Sequence, residues 1–81
     1  MLTNDIKKGM RIQLRNGWYA TVLDNKKGNT RLCEVEGTYT EMGSVYGHDI
    51  MRVKQDSAWV TVEHTEAQKK NRQTLMAMGL A

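Results

Sequence analysis

Gly9-Met10-Arg11-Ile12-Gln13-Leu14-Arg15-Asn16-Gly17-Trp18-Tyr19-Ala20-Thr21-Val22-Leu23 is the stretch that decides the fold. From Met10 to Arg15 apolar and polar residues alternate strictly, the period of a half-buried strand that turns Met10, Ile12 and Leu14 inward. Asn16-Gly17 follows at once. This pair is the strongest short-range hairpin signal, because both central residues of a type I′ turn need positive φ. Trp18 to Leu23 then returns as a second strand rich in β-formers. Ala20 and Val22 suit its interior face, which sends Tyr19, Thr21 and Leu23 outward.

Further along, Lys26-Lys27-Gly28-Asn29 is polar and glycine-bearing and reads as the tip of a second hairpin. Arg31 to Glu36 is the third strand, with Cys33 and Val35 on one face and Leu32, Glu34 and Glu36 on the other. Thr38 to Asp49, punctuated by Gly43 and Gly47, reads as a loop or a single 3₁₀ turn anchored by Val45 and Ile50. Strands are expected from Ile50 to Lys54 and from Ala58 to Glu63, around a turn at Gln55-Asp56-Ser57. Five short strands joined by tight turns leave two solutions, a partly open small barrel or an orthogonal meander. Thr65-Glu66-Ala67-Gln68 then fits a capping box. The helix it opens is polar through Thr74 and apolar at Leu75, Met76, Met78 and Leu80, with Gly79 as its stop. The expected organisation is a barrel over residues 1–63. A helix over 64–81 packs on that barrel or on a second subunit.

Lys8-Gly9-Met10-Arg11-Ile12, then Asn16-Gly17, then Ala20-Thr21-Val22-Leu23, resembles the opening of a KOW-type or other SH3-like barrel. Glu41 to Val53 resembles the short 3₁₀ turn and closing strand of the same barrels, and its GSVY-x-HDI stretch resembles small bacteriophage proteins. The resemblance covers about residues 7–63 and implies a mainly β fold: an SH3-like five-stranded small barrel with a C-terminal α-helix. Where KOW barrels carry a glycine before the second-strand valine, this chain has Ala20. Plasmid-type dihydrofolate reductase is also a barrel of this kind, but its Val-Gln-Ile-Tyr motif is not found here, so that activity is not carried over.

The chain has 81 residues, one cysteine, no proline and no phenylalanine. A chain of this size buries about 60% of the surface that it exposes unfolded, so it has no room for a second catalytic domain. One Cys and two well-separated His build neither a disulfide nor a zinc site. Cys33 is expected as a small buried residue, and no metal or cofactor is implied. With no 18-residue apolar run and no leader pattern at Met1 to Lys8, a cytoplasmic chain is the simplest expectation. The net charge of +3 is unevenly spread, +3 over residues 1–20, −2 over 21–50 and +2 over 51–81. That permits a nucleic-acid partner without demanding one.

Three constellations follow from the parity. Tyr19, Leu23 and Leu32 form an apolar patch on a nominally solvated face, and such a patch usually has a cover. Leu75, Met76, Met78 and Leu80 of the chain's own helix would supply it, or a second copy or a protein partner would. Arg11, Arg15, Trp18, Lys26, Lys27 and Arg31 interleave cations with an aromatic, as in barrels that hold single strands, although Glu34 and Glu36 lie beside them. Ser44, Tyr46 and His48 form an expected recognition loop. A Ser-His-Asp hydrolase is disfavoured there, because adjacent His48 and Asp49 cannot readily make the orienting contact in extended chain.

These features lead to the expectation of a non-enzymatic binding module, a phage-type adaptor or inhibitor working through protein contacts and self-association as a homo-oligomer. The alternatives are a nucleic-acid-binding module using the basic first hairpins and a counter-defence protein that sequesters a nucleotide.

Overall fold

The computed structural model describes residues 1–24 and 28–79. Lys26, Lys27 and Leu80 lie outside them. The chain runs through a 3₁₀ turn, η1 (Thr3–Asp5), then β1 (Arg11–Leu14), β2 (Tyr19–Val22), β3 (Thr30–Glu36) and β4 (Thr40–Tyr46). A second 3₁₀ turn, η2 (Gly47–Asp49), leads into β5 (Ile50–Gln55), β6 (Ala58–Thr61) and the helix α1 (Glu66–Ala77). The strands form one sheet in the order β4-β3-β2-β1-β5-β6, with every neighbouring pair antiparallel. The fold is mainly β with a C-terminal helix, as the alternation predicts.

Inward parity holds through β1 to β4; in β5 the buried Ile50 and Val53 lie three apart, because the register against β1 shifts between Gln13 and Leu14. Ile12 and Leu14 of β1, Ala20 and Val22 of β2, Cys33 of β3, Val45 of β4 and Ile50 and Val53 of β5 are all buried, joined by Ile6 and Val62. Met10 and Val35 pack against this cluster from partly buried positions. Among the described helical residues only Gln68 is buried. The helix therefore does not cover the apolar face, whose strand residues are buried against one another and against Ile6, Val62 and Met1. Burying a Val, Leu or Ile is worth roughly 1.5–3 kcal/mol per side chain, so this single cluster is the main source of stability.

The first hairpin departs from the type I′ expectation. Gly17 has φ of 92° while Asn16 stays out of the left-handed region. Gly17 N donates to Leu14 O at 2.9 Å, and Leu14 N donates to Trp18 O at 2.7 Å. This is a three-residue loop, a tight turn closed by a glycine bulge, the next commonest way to join two strands. Asn16 Oδ1 accepts from Trp18 N at 3.0 Å and steadies it.

The larger correction concerns Thr38 to Asp49. Most of it is not loop but β4, paired with β3 through seven residues from Thr30↔Tyr46 to Glu36↔Thr40, so the sheet has six strands rather than five. Its inward positions are Glu41, Gly43 and Val45, only one of them a large apolar residue, which is why alternation fails to reveal it. The 3₁₀ turn and the closing strand are where the pattern puts them. Ser44 and Tyr46 are thus strand residues, and His48 belongs to η2.

The helix begins as the sequence predicts. Thr65 Oγ1 accepts from Gln68 N at 3.2 Å, and Gln68 Oε1 accepts from Thr65 N at 2.9 Å. It packs on η2, where Gln68 Nε2 would lie 3.0 Å from a Cβ placed on Gly47. In urea unfolding, Ile12→Ala should cost about 2–5 kcal/mol through the cavity it leaves. Thr65→Ala should cost about 1 kcal/mol, because it releases one cap. Equal losses would mean that the sheet is not the stabilising unit.

Candidate binding cleft

An open cleft of about 450 Å³ lies between the β1–β2 turn and the end of β4, lined by Leu14, Trp18, Val35, Val45, Tyr46 and Arg15 together with Asn16, Ser44 and Asp49. Leu14, Val35 and Val45 reach it from the inward positions of three strands and make its apolar floor. Trp18 stands on one side, 44% exposed. Its ring lies flat over Gly37, where any Cβ would overlap it. A second hollow beside the first, lined by Val35, Thr38, Tyr39 and Glu41, shares Trp18 as its wall.

The polar side of the cleft is fixed in place. Arg15 Nη2 donates to His48 O at 2.6 Å, and Arg15 Nε donates to Asp49 Oδ1 at 3.3 Å. Arg15 N also donates to Asp49 O at 2.8 Å. This ties the first hairpin to η2 across the end of the sheet. Tyr46 lies parallel to the His48 ring, centroids 5.1 Å apart and 10° between planes. His48 itself is 1% exposed, and neither ring nitrogen has a hydrogen-bond partner among the described residues. Its Nε2 is 3.6 Å from Asp49 Oδ1. Burial lowers the His48 pKa below its ordinary value of 6.5, with the charges of Arg15, Arg72 and His64 adding to the effect and Asp49 opposing it.

The structure divides the other predicted sets. Of the basic set, Arg15 and Trp18 reach the cleft. Arg11 instead pairs with Glu36, which is held below the usual carboxylate range by that bond. Arg31 is not on a binding face at all. Sharing parity with Cys33 and Val35, it is 1% exposed and donates to Thr30 O at 2.8 Å, Gly28 O at 3.1 Å and Asn4 Oδ1 at 2.7 Å. Strand parity alone signals this inward turn. Cys33 is buried as expected, and burial pushes its thiol up to about 11, which leaves it unreactive at neutral pH.

Of the expected apolar patch, Tyr19 and Leu32 are exposed on the outer side, but α1 does not lie across them. Met76 and Met78 remain exposed and Leu75 is half-buried. Tyr19 instead meets Trp59 at 5.6 Å between centroids, with the Arg11 guanidinium over its ring. Trp59 was missed by sequence reasoning, since the ladder that brings β6 within reach of Tyr19 runs through β1 and β5. The register sets Gln13 beside Arg52 and Lys54 beside Trp59, so two further cations share this outer face.

A scan against protein-family models and searches of curated proteins and of solved structures found no match.

Because the unfolded chain protonates His48 more readily than the folded one, the contribution of neutral His48 to stability should be full above about pH 6.5 and be lost as the pH drops below it. Urea midpoints measured from pH 8 to pH 5 should decline through this window and flatten in His48→Phe, which keeps the stack on Tyr46 without a titrating nitrogen. An unchanged slope in the variant would place the titrating group elsewhere.

Proposed function

We propose that this chain is a small, non-enzymatic binding module, an SH3-like barrel that recognises an exposed apolar or aromatic side chain of a protein partner in the Trp18–Tyr46 cleft. The observation that carries the reading is the combination of an open apolar floor with an aromatic wall already seated on Gly37. Sites of this kind are concave and mostly apolar, with a few fixed polar groups to set orientation. Arg15 and Asp49 supply those groups, held by each other and by the η2 backbone. The order β4-β3-β2-β1-β5, with a 3₁₀ turn between β4 and β5, favours the SH3-like build. An adaptor or inhibitor is the natural role for such a module. A hydrolase reading gains nothing from Ser44 and His48, since the imidazole is sealed while Ser44 sits on exposed strand.

A second reading rests on one separate observation, the exposed Tyr19–Trp59 pair beside Arg52 and Lys54. Aromatic rings next to cations form the platform on which single strands stack.

Selection from a random heptapeptide library should enrich sequences with one large apolar anchor, and their addition should shift amide signals of Trp18, Val45 and Tyr46. Trp18→Ala should weaken binding about 10- to 30-fold, as expected for a central aromatic contact, while the chain stays folded with a lowered unfolding midpoint because the packing on Gly37 is lost. Shifts confined to Tyr19 and Trp59, with steeply salt-dependent binding of a single-stranded oligonucleotide, would favour the second reading over the first.

A further inference from the structure

The sheet has two edges, and they are not alike. At β6 the outer side is partly occupied: Met1 N donates to Thr61 O at 3.3 Å, Glu63 N donates to Met1 O at 2.7 Å, and Leu2 bridges to Glu63. Among the described residues, the seven of β4 pair with β3 on one side only. Which groups face the open side follows from the ladder. Leu32 O accepts from Leu23 N across β2, so the alternate residues Arg31, Cys33 and Val35 turn their amides toward β4 and bond Val45, Gly43 and Glu41. The N–H and C=O groups of Met42 and Ser44 therefore point away from the sheet. Met42 is 69% exposed, and this edge has neither proline nor lysine to blunt it.

Gly43 lies at the midpoint of this strand. Its φ is not in the left-handed region, and a Cβ built on it meets nothing within 4 Å. The chain itself thus gives no reason for a glycine that weakens a strand. Glycine within a strand often marks the close approach of another backbone. We propose that the occupant is a second copy of this chain, paired β4 to β4 about a twofold axis at Gly43.

The register makes the edge self-complementary. Gly43 faces Gly43, Met42 faces Ser44, Glu41 faces Val45 and Thr40 faces Tyr46, so all seven residues are used and no like charges oppose. A twofold centred on Glu41 would set two carboxylates against each other. One centred on Val45 would run off the strand. Met42 and Ser44 of each copy then exchange their free N–H and C=O groups, joining the two six-stranded sheets into one. At this non-hydrogen-bonded pair the two Gly43 Cα atoms come within about 4.5 Å, the closest approach of the two backbones. The same pairing sets Glu41 of the second copy opposite Val45 on the cleft floor.

Light scattering over a concentration series should show a monomer–dimer equilibrium. Ser44→Pro removes an outward N–H and no bond of the β3–β4 ladder, so it should leave the far-ultraviolet spectrum unchanged and yield monomer across the series. Oxidised Gly43→Cys should form a covalent dimer, since the paired positions come within disulfide reach, while Glu41→Cys should not. A wild-type chain that stays monomeric at millimolar concentration would overturn the proposal. So would a dimer that persists in Ser44→Pro, a series of species beyond the dimer, or a Gly43→Cys chain that resists cross-linking in the assembled state.

Discussion

Ile12 stands where two ladders cross, and the rest of the molecule depends on that crossing. Ala20 lies opposite it on β2 and Val53 on β5, and all three are fully buried. The first pairing is local and needs only the hairpin. The second joins positions 41 residues apart in the chain, and it brings β5 and β6 beside the N-terminal strands. Once β1 is held on both sides, the inner faces of β1 to β5 share one apolar cluster and the sheet has to roll to keep water from it. The shift in register between Gln13 and Leu14 lies in this same pairing, and such irregularities increase local twist.

η2 then distributes the consequences of the roll. One side of this 3₁₀ turn presents Asp49 and the His48 carbonyl to Arg15, which fixes the hairpin and shapes the cleft. The other side presents Gly47 to Gln68, Thr3 and Asn29, where helix, N-terminus and second hairpin meet. Arg31 lies buried in this region, and its partners among the described residues are neutral oxygens. Its two terminal nitrogens make these bonds, while its Nε is buried with no hydrogen-bond partner among the described residues, a cost that the rest of the fold offsets. Through Arg15 the cleft is tied to this same turn.

The inner face was readable because the period of two is unbroken from Met10 to Leu14 and resumes at Ala20, Val22, Cys33 and Val35. The capping box was readable for a similar reason, since Thr65 and Gln68 are three residues apart and their bonds are local. What escaped the sequence was set by tertiary pairing. β4 carries a glutamate and a glycine at two of its three inward positions, so nothing in its own pattern marks it as a strand. The cleft joins residues of β1, β3, β4 and two turns, and the Tyr19–Trp59 contact spans the width of four strands. Parity alone turns Arg31 inward whatever its charge, whereas nothing local to Arg15 shows that η2, more than thirty residues on, holds it.

Amide hydrogen exchange resolved by residue reports which side of each strand is closed. At high dilution the amides of β1 should all be protected, since β1 has neighbours on both sides. Along β4, protection should alternate: Glu41, Gly43 and Val45 slow, Met42 and Ser44 fast. Uniform protection along β4 at every dilution, or rapid exchange at Ile12, would contradict a curled sheet that is closed at β1 and open at β4.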